Sequence, residues 1–89
     1  MNKEYNFKSV EDLLEHLNRG CEVGFLYDDK EYFMGMPPVT TGYKFSIYEC
    51  YNDDSYKGYM AAEEMMEHAF GNKKLRDIVD DMEVLERSF

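Results

Sequence analysis

The sequence contains no tryptophan, two prolines, two cysteines and two histidines. No apolar run approaches the roughly 20 residues that a membrane-spanning helix needs. The opening Met1-Asn2-Lys3-Glu4-Tyr5 carries no apolar segment of the kind that directs export, so a cytoplasmic location is expected. Two cysteines as far apart as Cys21 and Cys50 do not read as the disulfide framework of a small secreted domain, and two packed free thiols are expected.

Chemical machinery is equally scarce. There is no glycine-rich phosphate loop, no Gly-x-Ser-x-Gly elbow and no His-Glu-x-x-His pair in the sequence, which removes the usual traces of a phosphate-binding or hydrolytic site. His16, His68, Cys21 and Cys50 number four zinc-ligand types. They lack the close ligand pairs of a structural zinc site, and they read as two surface histidines and two core thiols. Asn52-Asp53-Asp54-Ser55 lacks the alternating ligands and closing glutamate of a calcium loop and reads as a turn. Glu63-Glu64 and Asp80-Asp81 are carboxylate pairs with no apolar setting that would raise one pKa over the other. No enzymatic activity, cofactor or metal is expected.

Basic residues are the other shortage. Ten Lys and Arg face nineteen Asp and Glu for a formal charge of -9. Residues 1–44 carry eight acids and five bases, and residues 45–89 carry eleven and five. Such a field repels nucleic acid and anionic lipid and attracts basic partners in a salt-dependent way. The expected partner is a protein with a basic surface, with no direct nucleic-acid or membrane contact.

What the sequence does hold is enough apolar material for one core. It has 89 residues, 44% of them hydrophobic, including six Phe, eight Tyr and seven Met, so a single domain over residues 1–89 is expected. Ser9 is placed as an N-cap with Asp12 three residues on, and Val10, Leu13, Leu14 and Leu17 recur at helix spacing. A helix over 10–19 ending at Gly20 follows. Cys21, Val23, Phe25 and Tyr27 then alternate with period two, which marks a strand. Asp28-Asp29 is a turn into a second strand over 31–36, closed by Pro37-Pro38. The longest strand signal runs from Tyr43 to Tyr51, with Tyr43, Phe45, Ile47 and Tyr51 on one face, and a short strand over 56–60 is possible on pattern. Residues 61–70 read as a helix broken by Gly71-Asn72, and Leu75, Ile78, Val79 and Met82 as the inner face of a last helix. The expected fold class is α+β: an N-terminal helix, a three- or four-stranded antiparallel meander, and two C-terminal helices packed on one sheet face.

Within that fold, Asp77, Asp80 and Asp81 would lie about one helical turn apart, and Glu63, Glu64 and Glu67 would repeat the arrangement on the preceding helix. Rows of carboxylates at such spacing can occupy a Lys- and Arg-lined groove in place of phosphates. Solvated helix faces look the same in sequence. Tyrosine is enriched where protein surfaces meet. Of Tyr27, Tyr32, Tyr43, Tyr48, Tyr51, Tyr56 and Tyr59, roughly half are expected to pack inward on the two-sided character of the phenol. Tyr48, Tyr51 and Tyr56 are taken as partner-binding together with the six acids.

The runs Glu11-Asp12-Leu13-Leu14-Glu15-His16-Leu17-Asn18-Arg19-Gly20, Glu22-Val23-Gly24-Phe25-Leu26-Tyr27, Lys30-Glu31-Tyr32-Phe33 and Lys74-Leu75-Arg76-Asp77-Ile78-Val79-Asp80 resemble a group of small acidic proteins of Gram-positive bacteria and their phages. The segments span most of the chain and form the fold rather than a site, so the resemblance brings no catalytic residues. It implies a phage or mobile-element setting in the cytoplasm of a bacterial host, where anti-CRISPR-type inhibitors occur. Pro37-Pro38-Val39-Thr40-Thr41-Gly42 departs from the group's pattern and marks a place for a specialised contact. The expected function is therefore a non-enzymatic inhibitor that occupies the basic nucleic-acid-binding surface of a host defence nuclease, as a monomer or weak homodimer. The alternative is an accessory domain that binds another protein, or itself, through a sheet edge.

Overall fold

A computed structural model describes residues 6–87. The first helix, α1 (Val10–Asn18), begins where expected, because the Ser9 hydroxyl accepts from the Asp12 backbone N–H at 3.1 Å. The Asp12 carboxylate reaches back to the Lys8 N–H, just before the cap, at 3.1 Å, so one orphan donor of the helix is satisfied and the entering chain is fixed. At the other end Gly20 takes φ 85°, a left-handed position that glycine fills without steric cost. Leu13 and Leu17 are fully buried, and Val10 and Leu14 pack at the margin of the same core.

Strands β1 (Val23–Tyr27), β2 (Lys30–Gly35), β3 (Phe45–Glu49) and β4 (Lys57–Tyr59) form the expected meander. A further strand, β7 (Glu83–Arg87), returns beside β1, and the resulting five-stranded sheet has the order β4-β3-β2-β1-β7 with every pair antiparallel. The β1–β2 hairpin turns on two residues, Asp28 and Asp29, whose φ angles are 52° and 63°. Positive φ at both central positions is the mirror-image turn whose twist suits paired strands. β3 is shorter than its sequence signal. Tyr51 lies beyond it at φ 65°, fully exposed, and so does not share the face of Phe45 and Ile47.

The C-terminal half departs most from expectation. The two helices are single turns, α2 (Ala62–Met65) and α3 (Leu75–Ile78). Between them lies a two-stranded ribbon, β5 (Ala69–Phe70) with β6 (Lys73–Lys74), turning at Gly71 with φ 66°. Helix spacing alone cannot distinguish Met65, Met66, Ala69 and Phe70 as a helix face from a short helix followed by an extended return, since tertiary packing overrides propensity over so few residues. The ribbon sets the Phe70 ring 5.0 Å from Tyr32 and 5.8 Å from Tyr27, both edge to face. Continuing α2 would forfeit those contacts.

One face of the sheet carries the core. Val23, Phe25, Met34, Ile47, Phe45 and Val84 pack against Leu13, Leu17, Met65, Met66, Leu75 and Ile78 in a single cluster. A fully buried side chain of this size contributes roughly 1.5–3 kcal/mol. Tyr27, Tyr32 and Tyr59 border the cluster from the same side. β7 is tied to the N-terminal segment: Arg87 lies over the Phe7 ring at 4.2 Å and 3.6 Å from Asp12, and the Val84 N–H donates to Asn6 Oδ1 at 2.9 Å. No helix among the described residues is long and apolar enough to cross a membrane.

Aspartate in the left-handed region is strained relative to glycine, so replacing Asp28-Asp29 by Asn-Gly should stabilise the fold by about 0.5–1 kcal/mol. Urea unfolding measures this; an unchanged or lower midpoint would contradict the turn geometry.

Candidate functional site

The strand alternation that buries Phe25, Tyr32, Met34 and Ile47 turns Gly24, Phe33, Gly35, Ser46 and Tyr48 to the opposite face. No residue of α1, α2 or α3 lines the hollows of this second face. Two cross-strand rows organise it. Phe33 pairs directly with Tyr48, and beyond it the Tyr48 and Tyr56 rings stack with centroids 6.0 Å apart and an interplanar angle of 26°. Phe33 and Tyr48 are 5.7 Å apart, so three aromatic rings run across the strands. The adjacent row is small: Gly35 pairs with Ser46, and Ser46 with Gly58. A Cβ on Gly35 would stand 2.9 Å from the Glu22 side chain, and one on Gly58 would run into the Tyr43 ring at 2.3 Å. The small residues of this row admit the Glu22 side chain over Gly35 and the Tyr43 ring over Gly58, and Ser46 between them is buried.

The aromatic row borders an open cleft of about 610 Å³ lined by Glu22, Phe33, Met36, Pro37, Pro38, Ser46, Tyr48, Asp53 and Tyr56. Its size is that of a site for a side chain or a small ligand. Pro37 and Pro38 supply the far wall. Past Phe33 a second hollow of about 260 Å³ continues over Gly24, Glu31, Cys50, Leu85 and Glu86. Together the two hollows are lined by Glu22, Asp53, Glu31 and Glu86, and among the described residues no Lys, Arg or His lines either one. The other surface hollows differ, because Lys30 and Lys73 line one and Lys8 and Arg87 the other.

The negative field acts on nearby groups. Burial, with added repulsion from Cys50, Glu22 and Tyr56, holds the Tyr48 phenol above its ordinary pKa. The Cys50 thiol is pushed up by burial and then by Glu31 and Glu86. Both stay protonated at neutral pH, so this face offers aromatic rings, a hydroxyl and carboxylates but no thiolate nucleophile.

The structure treats the residues expected to bind a partner unequally. Tyr48 and Tyr56 meet in the aromatic row, whereas Tyr51 projects from its turn outside the cleft. Glu63, Glu64, Glu67, Asp77, Asp80 and Asp81 are all exposed, but the helices that would align them end after four residues each. Asp80 and Asp81 therefore sit in a turn, and no carboxylate row at helix spacing forms. Glu67 is already engaged by Lys74 Nζ and Arg76 Nε at 2.7 Å each, and the Lys74 hydrogen bond lowers its pKa first among several causes. The Asp77 carboxylate accepts from the Lys74 backbone N–H at 2.9 Å and so caps its own helix. Sequence reasoning missed Glu22, Phe33, Met36 and Asp53. One signal pointed to them: Tyr32-Phe33-Met34 is apolar in both strand phases, which leaves one ring on the uncovered side.

The histidines also differ from expectation, since neither is a surface residue. His16 is buried at 2% exposure, with Phe7 5.4 Å away and Arg87 Nε 3.4 Å from its Nδ1. His68 is half-buried and shares a 2.8 Å hydrogen bond with Tyr59 through Nδ1. Both cysteines are free, Cys21 buried and Cys50 half-buried. Among the described residues no group of three or more His, Cys, Asp or Glu is placed to hold a metal ion. The hydroxyl of Ser55, which lines the same hollow as His68, accepts from the Glu49 N–H at 2.7 Å and donates to the Asn52 carbonyl at 2.7 Å. It is a turn residue rather than an activated nucleophile.

No protein-family model, no curated protein and no solved structure matches this chain.

Both histidines have pKa values below the ordinary 6.5. Burial is the leading cause for each, followed by Arg87 at His16 and by Lys57 at His68. The unfolded chain therefore takes up protons at higher pH than the folded one, so this contribution to stability is complete above about pH 6.5 and is lost as pH falls through the folded-state values. Unfolding free energies across a pH series should fall below 6.5, with a shallower fall in His68→Gln. Stability that stays level or rises on acidification would contradict the burial of these imidazoles.

Proposed function

We propose that this chain works by binding rather than catalysis, and that it docks a basic protein surface on the uncovered face of its sheet. The observation that carries this reading is the pairing of an aromatic row with Asp53, Glu31 and Glu86 around the two hollows of that face, which no Lys, Arg or His among the described residues lines. Exposed tyrosines provide contact area at low entropic cost, and the surrounding carboxylates steer and orient a cationic partner. Surfaces that normally hold a nucleic-acid backbone are lined by Lys and Arg and fit this description. The resemblance to small proteins of Gram-positive phages gives the partner a concrete form: an RNA-guided defence nuclease whose positively charged channel would be occupied by an inhibitor from a phage or mobile element.

Docking through a sheet edge is less well supported. β4 has three residues, and at β7 the Asn6 side chain already takes the Val84 N–H. Little free ladder remains for an added strand.

Two triple charge reversals with the same change in net charge separate the faces. Glu22→Lys, Asp53→Lys and Glu86→Lys together should weaken binding to a panel of purified RNA-guided nucleases by at least about tenfold, with loss of salt dependence. Asp77→Lys, Asp80→Lys and Asp81→Lys together should cost less than about threefold. Biolayer interferometry at low and high salt reads both. The reverse ranking, or salt-insensitive binding, would overturn the docking reading.

A further inference from the structure

We propose that the hollow beside the β5–β6 ribbon binds a small aromatic zwitterion, a free aromatic amino acid, whose ring packs on Tyr27, Tyr32 and Phe70 while its carboxylate meets Lys73 and its ammonium meets Asp28. The hollow shares no lining residue with the open-face cleft, and this site does not rest on the docking reading. It holds about 500 Å³, within the range of small-molecule sites. The ribbon builds its aromatic lining. Folding back at Gly71 sets the Phe70 ring edge to face against Tyr27 at 5.8 Å and Tyr32 at 5.0 Å. His68 joins them with its ring 5.3 Å from Phe70, and the Tyr59 hydrogen bond at Nδ1 fixes the imidazole. These four rings line the hollow and each is half-buried, so each keeps an accessible part against which a further ring can pack.

The charges on the rims select a ligand that carries both signs. Asp28 follows Tyr27 into the β1–β2 turn, and Lys73 pairs with Phe70 across the ribbon. The Tyr27–Phe70 contact therefore stands between them. Among the described residues neither Asp28 nor Lys73 takes part in an ion pair. The other two charges of the hollow, Lys30 and Glu49, face each other at 3.9 Å and largely offset one another. Burial, then Glu49, then Asp28 hold the Tyr32 phenol above its ordinary pKa, which puts the negative side of the hollow at that hydroxyl and leaves the ribbon, with Lys73, as the positive side. A monoanion would meet Lys73 but carry a like charge toward Asp28 and Glu49, and a monocation would meet the reverse at Lys30 and Lys73. An aliphatic zwitterion would satisfy both rims and leave the rings uncovered, forgoing the aromatic pairing that adds to buried area.

The test titrates isotope-labelled protein with L-tryptophan, tryptamine and indole-3-propionate, which hold the ring constant and remove the carboxylate or the ammonium in turn. L-Alanine keeps both charges and removes the ring. L-Tryptophan should give saturable amide shifts centred on Tyr27–Lys30 and His68–Lys73, and each indole analogue should bind about threefold or more weakly. L-Alanine should give no saturable shift. Lys73→Gln should bring L-tryptophan to the tryptamine value while leaving tryptamine within about twofold. Asp28→Asn, which the left-handed turn position accommodates, should bring it to the indole-3-propionate value. Both side chains are exposed, so neither change removes core packing. Equal or reversed affinities among the three indoles would overturn the zwitterion site, as would a preference for L-tryptophan that survives both variants. Saturable binding of L-alanine would overturn the role of the rings. Shifts centred outside the hollow, or no binding by L-tryptophan, would overturn the site itself and leave the docking reading standing.

Discussion

The register of β2 against β3 is the constraint on which the rest of this molecule depends. Because side chains alternate with period two, pairing Met34 with Ile47 and Phe33 with Tyr48 settles both faces at once. The first pair closes the core beneath the helices, and the second starts the aromatic row on the uncovered side. A slip of β2 by one residue would send Met34 into water and push Phe33 toward the helices. It would also break the Gly35–Ser46 pairing. The turn at Asp28-Asp29 sets the neighbouring β1–β2 pairing, and Pro37-Pro38 stops the ladder at the end of β2. Fold and candidate site are thus two readings of one pairing pattern.

Much of the first half of the chain was legible in the amino-acid sequence because its signals are local. Ser9, the Leu13–Leu17 spacing and Gly20 specify α1 through capping and periodicity, and the Cys21–Tyr27 alternation specifies β1. The coarse α+β description follows, with an N-terminal helix and an antiparallel meander. The second half was not legible for a physical reason. Leu75, Ile78, Val79 and Met82 fit a helix face, but the same residues serve a single helical turn followed by a return strand, and all four are buried in that arrangement. What selects the strand is the free edge of β1, a partner more than 50 residues away in sequence. Local periodicity carries no trace of it. The same gap explains the acidic residues. Asp77, Asp80 and Asp81 form a row only on a helix that does not continue, and Glu67 meets Lys74 and Arg76 only because the ribbon folds back.

The distribution of charge then acquires a different meaning. By sequence the negative field is weighted toward the C-terminal half, which drew attention to its acids. In three dimensions Lys73, Lys74 and Arg76 share that region with them, and two of these cations pair with Glu67. On the other sheet face fewer carboxylates, Asp53, Glu31 and Glu86 among them, line hollows beside Phe33, Tyr48 and Tyr56, and no Lys, Arg or His among the described residues lines those hollows. A partner senses local potential at close approach rather than net charge. The proposed docking surface is therefore not the region with the most acids.

The most direct test of this account measures that potential residue by residue. Paramagnetic cosolutes of opposite charge, compared by amide relaxation enhancement on the isolated protein, report the near-surface potential at each backbone site. The account predicts the most negative values at Phe33–Gly35 and Ser46–Tyr48, with values nearer neutral around Lys73–Asp77. The most negative potential at residues 77–81, with a neutral or positive sheet face, would contradict it.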